Sequence, residues 1–346
     1  MTFDLIKWVE QYALNAKMDV RINDEAALRE FIDCSGCSII DHYSWMIAYH
    51  QEYLASQYSQ VSSASILLQS NGKAAGVFTI NVRKSAQGYE IGSSSSEILP
   101  PFIEQTLSRK VKHKLYKQCF NLILSLGEEL KTPKLASSFD YINGVYEPWY
   151  NLFASQGAQI KVSQNLFCDL SFSESEYANM IRERYKNHIK RAEKLWHVVV
   201  KTEVSWQEFL AFQQLHLDVV GFKTRSDLSW EMLFNAVNRQ EAFIVFAMDQ
   251  SNELIGAALF TVSNKVATYS VGVYDRTLFA SPVSHLVHYY AINKMKEMGL
   301  NTYFLGAKNA LYEWHEPSVK ESKIGEFKDG FATYSLLKTY CSIDLK

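Results

Sequence analysis

Two places in this 346-residue chain combine residue types and spacing that could serve chemistry at an acyl or phosphoryl centre. In the first, a strand pattern, Val266–Tyr274, passes through Asp275, Arg276 and a short loop straight into a helix pattern beginning near Pro282. Such a helix start offers unpaired backbone N–H groups and the positive end of a dipole, which suit a phosphate, a carboxylate or a developing oxyanion. Ala280, Ser281 and Ser284 stand at that start, and His285 in the first turn is placed either to take a proton from an attacking amine or simply to be solvated. The second place is the polar connection Gly221–Trp230, where Arg225 either presents its guanidinium to a phosphate or remains solvated.

Other reactive residue types carry less. His216 is a lone histidine among apolar neighbours on a helix pattern, the setting of a satisfied core residue more often than of a base. Cys34 and Cys37 form a CxxC, but no second ligand pair stands at comparable spacing and no strand precedes it, so neither a metal site nor a redox site is expected; Cys119, Cys168 and Cys341 are scattered. Two basic stretches, Arg109 to Lys117 and Arg182 to Lys194, read first as solvated helix faces; the second reading is an anionic substrate or RNA for the former and a nucleic-acid partner for the latter. A formal net charge of −2 argues against a general nucleic-acid coat. With 47% hydrophobic and 21% charged residues the chain can bury large cores, and its length suits two domains. No apolar run approaches membrane-spanning length and the start lacks a signal peptide's apolar core, so the expected location is the cytoplasm.

The elements that must position these residues are legible in outline. Asp4–Leu14, Asp24–Ile32 and Trp45–Tyr53 read as helices, and Ser65–Gln69 and Ala75–Val82 as strands joined by Asn71-Gly72, a pair suited to the positive φ angles of a tight hairpin. A helix is expected over Ile103–Leu130. Ser173 and Glu176 have the form of a capping box opening a helix that runs to Lys194, with Tyr177, Ile181, Tyr185, Ile189 and Ala192 on one face. Helices over Trp206–Val219 and Trp230–Asn238 lead to strands Ala242–Met248, Leu254–Val262 and Val266–Tyr274, a helix Pro282–Met298 with Ser281 at its N-cap, and a strand Thr302–Gly306. The connection from Gly306 to Gly325 is long enough to be a lid or binding loop. Ser70-Asn-Gly-Lys-Ala-Ala-Gly-Val-Phe-Thr and Ser251-Asn-Glu-Leu-Ile-Gly-Ala-Ala-Leu-Phe-Thr repeat one outline, a polar turn entering a glycine-bearing strand that ends in Phe-Thr, so the two halves look related.

The strand, loop and helix order after a long hairpin resembles the Gcn5-related acyltransferase (GNAT) fold, whose members hold acyl-CoA at that loop. The family's phosphate loop reads Arg or Gln, two residues, Gly, one residue, Gly or Ala. Here Arg276 is followed by Thr-Leu-Phe-Ala-Ser-Pro without a glycine. More specifically, the Tyr185–Lys194 helix running into Val198-Val-Val200, the strand Glu253–Phe260 and the segment Gly325-Glu-Phe-Lys-Asp-Gly-Phe331 resemble the Fem-type acyltransferases, which carry two such domains in tandem and include enzymes that attach amino acids from aminoacyl-tRNA to peptidoglycan precursors.

The resemblance implies an α+β chain of two tandem GNAT-like domains, residues 1–165 and 166–346, each a mixed, mainly antiparallel sheet flanked by helices. It implies that Phe327 and Lys328 match the family's Phe-Lys pair, which sets a lysine at the reacting carbonyl. On composition alone Lys328 reads as a surface lysine beside a core phenylalanine. Arg225 is the nearest counterpart of an arginine that holds an acceptor's diphosphate, and Arg276, Ala280, Ser281 and Ser284 are the counterparts of the donor loop. Tyr269 and Tyr274, five apart on one strand, should point to opposite faces, leaving at most one for the substrate. The family's helical arm has no room between Val200 and Trp206. The implied activity is N-acyl transfer to an amino group of an activated sugar or cell-wall precursor, nucleotide-linked acceptors included, with acyl-CoA (acetyl-CoA foremost) or aminoacyl-tRNA as donor and no metal. The alternatives are a peptidoglycan-bridge aminoacyltransferase and a non-catalytic nucleotide-sugar-binding protein.

Overall fold

The computed structural model describes residues 3–140, 146–278, 281–309 and 316–345. The chain forms two compact units, residues 1–162 with 337–346, and residues 163–336.

The first unit opens with α1 (Leu5–Asn15), started by the Asp4 carboxylate, which accepts from the Lys7 amide, and burying Leu5, Val9 and Ala13 one turn apart. Then come β1 (Val20–Ile22), α2 (Glu25–Ser35), α3 (Ser44–Ala55), β2 (Gln60–Ser70) and β3 (Lys73–Ser85). The β2–β3 hairpin turns at Asn71 and Gly72, both at positive φ as the sequence required. After β4 (Gly88–Gly92) the expected helix from Ile103 begins six residues late, because β5 (Phe102–Ile103) pairs with β3 at Gly76 and Val77. A side chain at Gly76 would come within 2.7 Å of the Phe102 carbonyl, so glycine is what lets that strand close. The helix is α4 (Arg109–Leu130), capped by Ser108, and Arg109, Lys110, His113, Lys114 and Lys117 lie exposed on it. The unit continues through β6 (Lys134–Asp140) and α5 (Glu147–Ser155) into β7 (Gln159–Asp169). Strands β1 to β4 lie in sequence order and antiparallel, and α4 and α5 bury Tyr116, Phe120, Ile123, Trp149 and Phe153 against Phe78 and Ile80. Cys37 is buried at the end of α2, and burial pushes its thiol up to about 12, so it offers no thiolate.

In the second unit the single helix expected between Ser173 and Lys194 is two, α6 (Glu174–Met180) and α7 (Glu183–Ala192). The capping box at Ser173 and Glu176 forms, but Ile181 is extended at ψ 150° and the Arg182 amide turns away to donate to the Gly330 carbonyl. All five face residues from Tyr177 to Ala192 are nevertheless buried. There follow β8 (His197–Lys201), α8 (Trp206–Val220), α9 (Asp227–Asn238, opened by Ser226), β9 (Ala242–Met248), β10 (Leu254–Ser263), β11 (Val266–Tyr274), α10 (Val283–Glu297), β12 (Thr302–Lys308), α11 (Val319–Asp329) and the start of β13 (Tyr334–Asp344), whose residues from 337 on belong to the first unit. The sheet runs β7, β12, β11, β10, β9, β8, and only β11 and β12 are parallel. Strand alternation splits its side chains: Phe243, Val245, Ala258 and Phe260 join the core under α7 and α10, whereas Phe209, Phe212, Trp230 and Leu233 of α8 and α9 are buried outside that core, on the other face. The long connection expected up to Gly325 is shorter, because Ser318 and Glu321 form a capping box and α11 is helical from Val319; residues 310–315 fall outside the described residues. No helix among the described residues is long and apolar enough to cross a membrane.

Candidate functional site

Strands β11 and β12 pair over only three residues each, Val266–Thr268 with Thr302–Phe304. Beyond that point β11 stays with β10 to Tyr274 and β12 with β7 to Lys308, so the two parallel strands part and open a wedge between them. Each carries an irregularity where the parting begins: Ser270 is extra opposite Leu259 and Phe260, and Leu305 is extra opposite Leu166 and Phe167.

The bulge at Ser270 overturns one expectation. Tyr269 pairs with Phe260 and Tyr274 with Gly256, two positions on the same face of β10, so both tyrosines lie on the α10 face. The Tyr269 ring lies across Gly272, where a Cβ would stand 1.8 Å from the tyrosine hydroxyl. The two hydroxyls approach each other and burial raises both above the ordinary tyrosine value; the contact is not a well-formed hydrogen bond, since Tyr274 Oη has no partner among the described residues.

Lys328, from the last turn of α11, reaches into the wedge. Its Nζ stands 5.7 Å from the centroid of the Tyr269 ring on β11, and a Cβ on Gly306 of β12 would come within 2.6 Å of it. Gly306 has φ +107°, a conformation open to glycine, so the strand both bends and makes room for the lysine there. Among the described residues no carboxylate pairs with Lys328; its neighbour Asp329 is taken by Arg182 at 3.2 Å and Lys308 at 3.0 Å. Burial holds the Lys328 ammonium below the ordinary lysine value.

Helices α6 and α7 hold α11 in place. Tyr185 donates its hydroxyl to the Phe327 carbonyl at 3.0 Å, Tyr177 to the Phe331 carbonyl at 3.3 Å, and the Arg182 amide to the Gly330 carbonyl at 3.0 Å. A Cβ on Gly330 would lie 2.1 Å from the Tyr185 ring, so that ring rests on bare backbone. Phe331 is fully buried, and Gly325 lets α11 approach the backbone of Asn309.

Under the lysine lies an aromatic floor. His285 meets Tyr185 edge to face at 4.4 Å and Phe327 at 5.0 Å; His288 stacks on Phe331 at 5.3 Å and lies 4.8 Å from Tyr269. Burial, reinforced by His188 and Arg184, pushes His285 down to about 3, which leaves it too weak a base for an amine at neutral pH and makes it part of the floor. His288 is fully buried and also lowered to about 3, by burial first and the Lys328 charge second, with Nδ1 2.9 Å from the Tyr303 hydroxyl. In this unit the buried side-chain polar atoms without a partner, among the described residues, are Tyr274 Oη on β11, His285 Nδ1 and His288 Nε2 on α10, and Ser322 Oγ on α11.

The remaining sequence candidates fall elsewhere. Arg276 is exposed in a 3-10 turn over Arg276–Leu278, and Ala280 lies outside the described residues. Pro282, and not Ser281, is the N-cap of α10, so the helix starts one residue later than the serine and proline pattern suggested. Ser281 and Ser284 flank that start, which has no side-chain cap and no acid in its first turn, an arrangement open to an anion. Arg225 stacks on Trp230 of α9 at 5.3 Å, beside a cavity of about 620 Å³ lined by His216, Phe222, Lys223 and Asp227; no contact joins it to Lys328 among the described residues. Sequence reasoning missed His288, Tyr303 and Gly306. The first two are an unremarked helix histidine and strand tyrosine 15 residues apart, and only the fold brings them together. No cluster of three or more His, Cys, Asp or Glu among the described residues could hold a metal ion.

No family model matches the sequence, and no curated protein matches it significantly. Solved structures do. FemX superposes with a TM-score of 0.68 at 11% identity, over 94% of this chain and 97% of its own. L-PGS from Bacillus licheniformis gives 0.59 at 13% identity, over 92% and 91%. A tandem GNAT protein from the clavulanic acid biosynthesis pathway gives 0.51 at 10%, over 94% and 98%. At these identities the likeness is one of fold: the chain has a tandem GNAT architecture of the Fem type, with mixed, mainly antiparallel sheets.

Proposed function

We propose that the chain is an N-acyltransferase whose reacting carbonyl lies in the wedge between β11 and β12, against Lys328. The observation that carries this reading is the position of Nζ where the strands part, desolvated, on the face of Tyr269 and without a carboxylate partner among the described residues. Attack of an amine on an acyl carbon puts negative charge on the carbonyl oxygen. One fixed cation in a water-poor site stabilises that charge by roughly 3–4 kcal/mol, about the value of a single oxyanion-hole donor. The parted strands supply unpaired backbone groups to hold the donor's chain, and the uncapped start of α10 is suited to an anionic portion of it.

The acceptor in this reading is an amino group of an activated sugar or cell-wall precursor. The donor is acyl-CoA, favoured by the likeness to a tandem GNAT protein, or aminoacyl-tRNA, favoured by the likeness to FemX. Exposed cations of α4 offer one surface for an RNA. Thermal shifts with acetyl-CoA, aminoacyl-tRNA and nucleotide-linked amino sugars discriminate these, since a ligand at 100 times its Kd stabilises by about 2.7 kcal/mol. A rise with one donor and one acceptor, followed by amide product, supports the reading; binding of a nucleotide sugar with no turnover for any donor replaces it with a non-catalytic binding protein.

A further inference from the structure

Helix α4 in the first unit starts before the core that it serves. Its buried residues run from Leu115 to Leu130; none of Arg109 to Lys114 is buried, and Val111 packs against the core only in part. At about 1.5 Å per residue these six residues lengthen the helix by roughly 9 Å. The extension is also charged against the helix. Arg109, Lys110 and Lys112 stand in the first turn, with His113, Lys114 and Lys117 following; no acid lies in the first turn and no base in the last, where Glu128 and Glu129 are exposed. The helix dipole favours the reverse, acids at the start and bases at the end. Lys110, Lys114 and Lys117 follow at four- and three-residue spacing, so like charges repel one turn apart. The ion pairs among the described residues of this unit, Arg21–Asp24, Arg29–Asp33, His50–Asp41 and Arg83–Glu90, include none of these cations. The whole chain is close to neutral at a formal −2, so the cluster is a local separation of charge.

We infer that the start of α4 is a docking surface for the phosphate backbone of RNA, with tRNA as the partner. A run of cations that opposes its own helix and buries nothing there is matched by an anion from outside the fold. The row Lys110, Lys114 and Lys117 offers that anion three charges, with Arg109 and Lys112 beside it. A lipid surface fits less well, because a helix lying on a membrane turns an apolar stripe to the lipid, and the apolar stripe of α4 is inside the unit. Phosphate contacts position a nucleic acid without reading its sequence, so the binding is sequence-tolerant and steeply dependent on salt. No bond is made or broken at this surface.

The choice of tRNA rests on the acyl-transfer reading with aminoacyl-tRNA as donor, but its test needs no turnover. Fluorescence anisotropy of labelled, uncharged tRNA is followed with the whole chain between about 50 and 200 mM salt. Lys110→Gln, Lys114→Gln and Lys117→Gln, combined in one variant, are expected to weaken binding by about 10-fold or more at the low end of that range. They are also expected to make the slope of log affinity against log salt shallower by about 2–3, roughly one for each lost phosphate contact. The melting temperature of the variant is expected to equal or exceed the native value, because repulsion and a misplaced first-turn charge are removed. A marked fall in melting temperature would give the lysines a structural role and overturn the inference. No tRNA binding at the lowest salt, or equal affinity and slope in the two proteins, overturns it as well. So does binding of phosphatidylglycerol vesicles that the variant loses while tRNA stays unbound, which would assign the surface to a membrane. The acyl-transfer reading fails separately, if Lys328→Ala keeps full turnover, and that failure leaves the anisotropy result standing.

Discussion

Tyr185 on α7 donates its hydroxyl to the carbonyl of Phe327 at 3.0 Å, one residue before the lysine in the wedge. The helix whose row of cations reads first as a solvated face therefore sets the position of α11 through its buried face. Tyr185→Phe removes that bond while keeping the ring on Gly330. The expected loss is about 1 kcal/mol of stability with a larger fractional loss of turnover, since the Phe327 carbonyl keeps only the Gly330 amide and the end of α11 that carries Lys328 is held less firmly. Equal melting temperatures and equal kcat in the two proteins would show that the tie does not position the lysine.

Gly306→Ala tests the other wall of the wedge. At φ +107° an alanine is strained by roughly 1–3 kcal/mol, and its Cβ would fall 2.6 Å from Lys328 Nζ. A lysine displaced by about 1 Å lowers kcat on the order of 100-fold. A variant that melts a few degrees lower yet turns over normally would place the reaction elsewhere.

These two residues also mark what the sequence could and could not tell. The Asn71-Gly72 hairpin, the capping boxes at Ser173 and Ser318, and the buried row from Tyr177 to Ala192 are local patterns, and local chemistry decides them. The segment Gly325–Phe331 was legible as a family likeness, and the fold brings its Lys328 to the parting of β11 and β12. The facing of Tyr269 and Tyr274 was misread, because a one-residue bulge at Ser270 reverses parity and leaves no trace in composition. The break at Ile181 was hidden for a similar reason: a partner distant in sequence, Gly330, takes the Arg182 amide. His288 was missed because Tyr303, which gives it meaning, comes from another element.

Acid should unfold the protein early. His42 and His288 are fully buried and held down to about 4 and about 3, below the free value of 6.5. Between those values the unfolded chain binds more protons than the folded one, so stability is full above pH 6.5 and falls as pH drops, by up to about 1.4 kcal/mol per pH unit for each histidine. His42→Asn, far in sequence from the wedge, is expected to flatten the slope of stability against pH between 6.5 and 4.5. Denaturant titrations at several pH values would reveal an unchanged slope if His42 were already charged in the folded state.

Phe331 carries the floor beneath the lysine and is fully buried. Phe331→Ala is expected to cost about 3–5 kcal/mol, the usual range for emptying such a site. Urea midpoints measure this directly, and a cost under about 1 kcal/mol would mean that the floor is loosely packed.

The central claim is that Lys328 stabilises the charge that develops on the acyl oxygen. It is tested most directly by single-turnover acyl transfer with Lys328→Ala, using the donor and acceptor that raise the melting temperature of the native protein. The expected result is a rate lower by about 100- to 1,000-fold with donor binding and melting temperature nearly unchanged. A rate within a few-fold of the native one would contradict it and remove Lys328 from the chemistry.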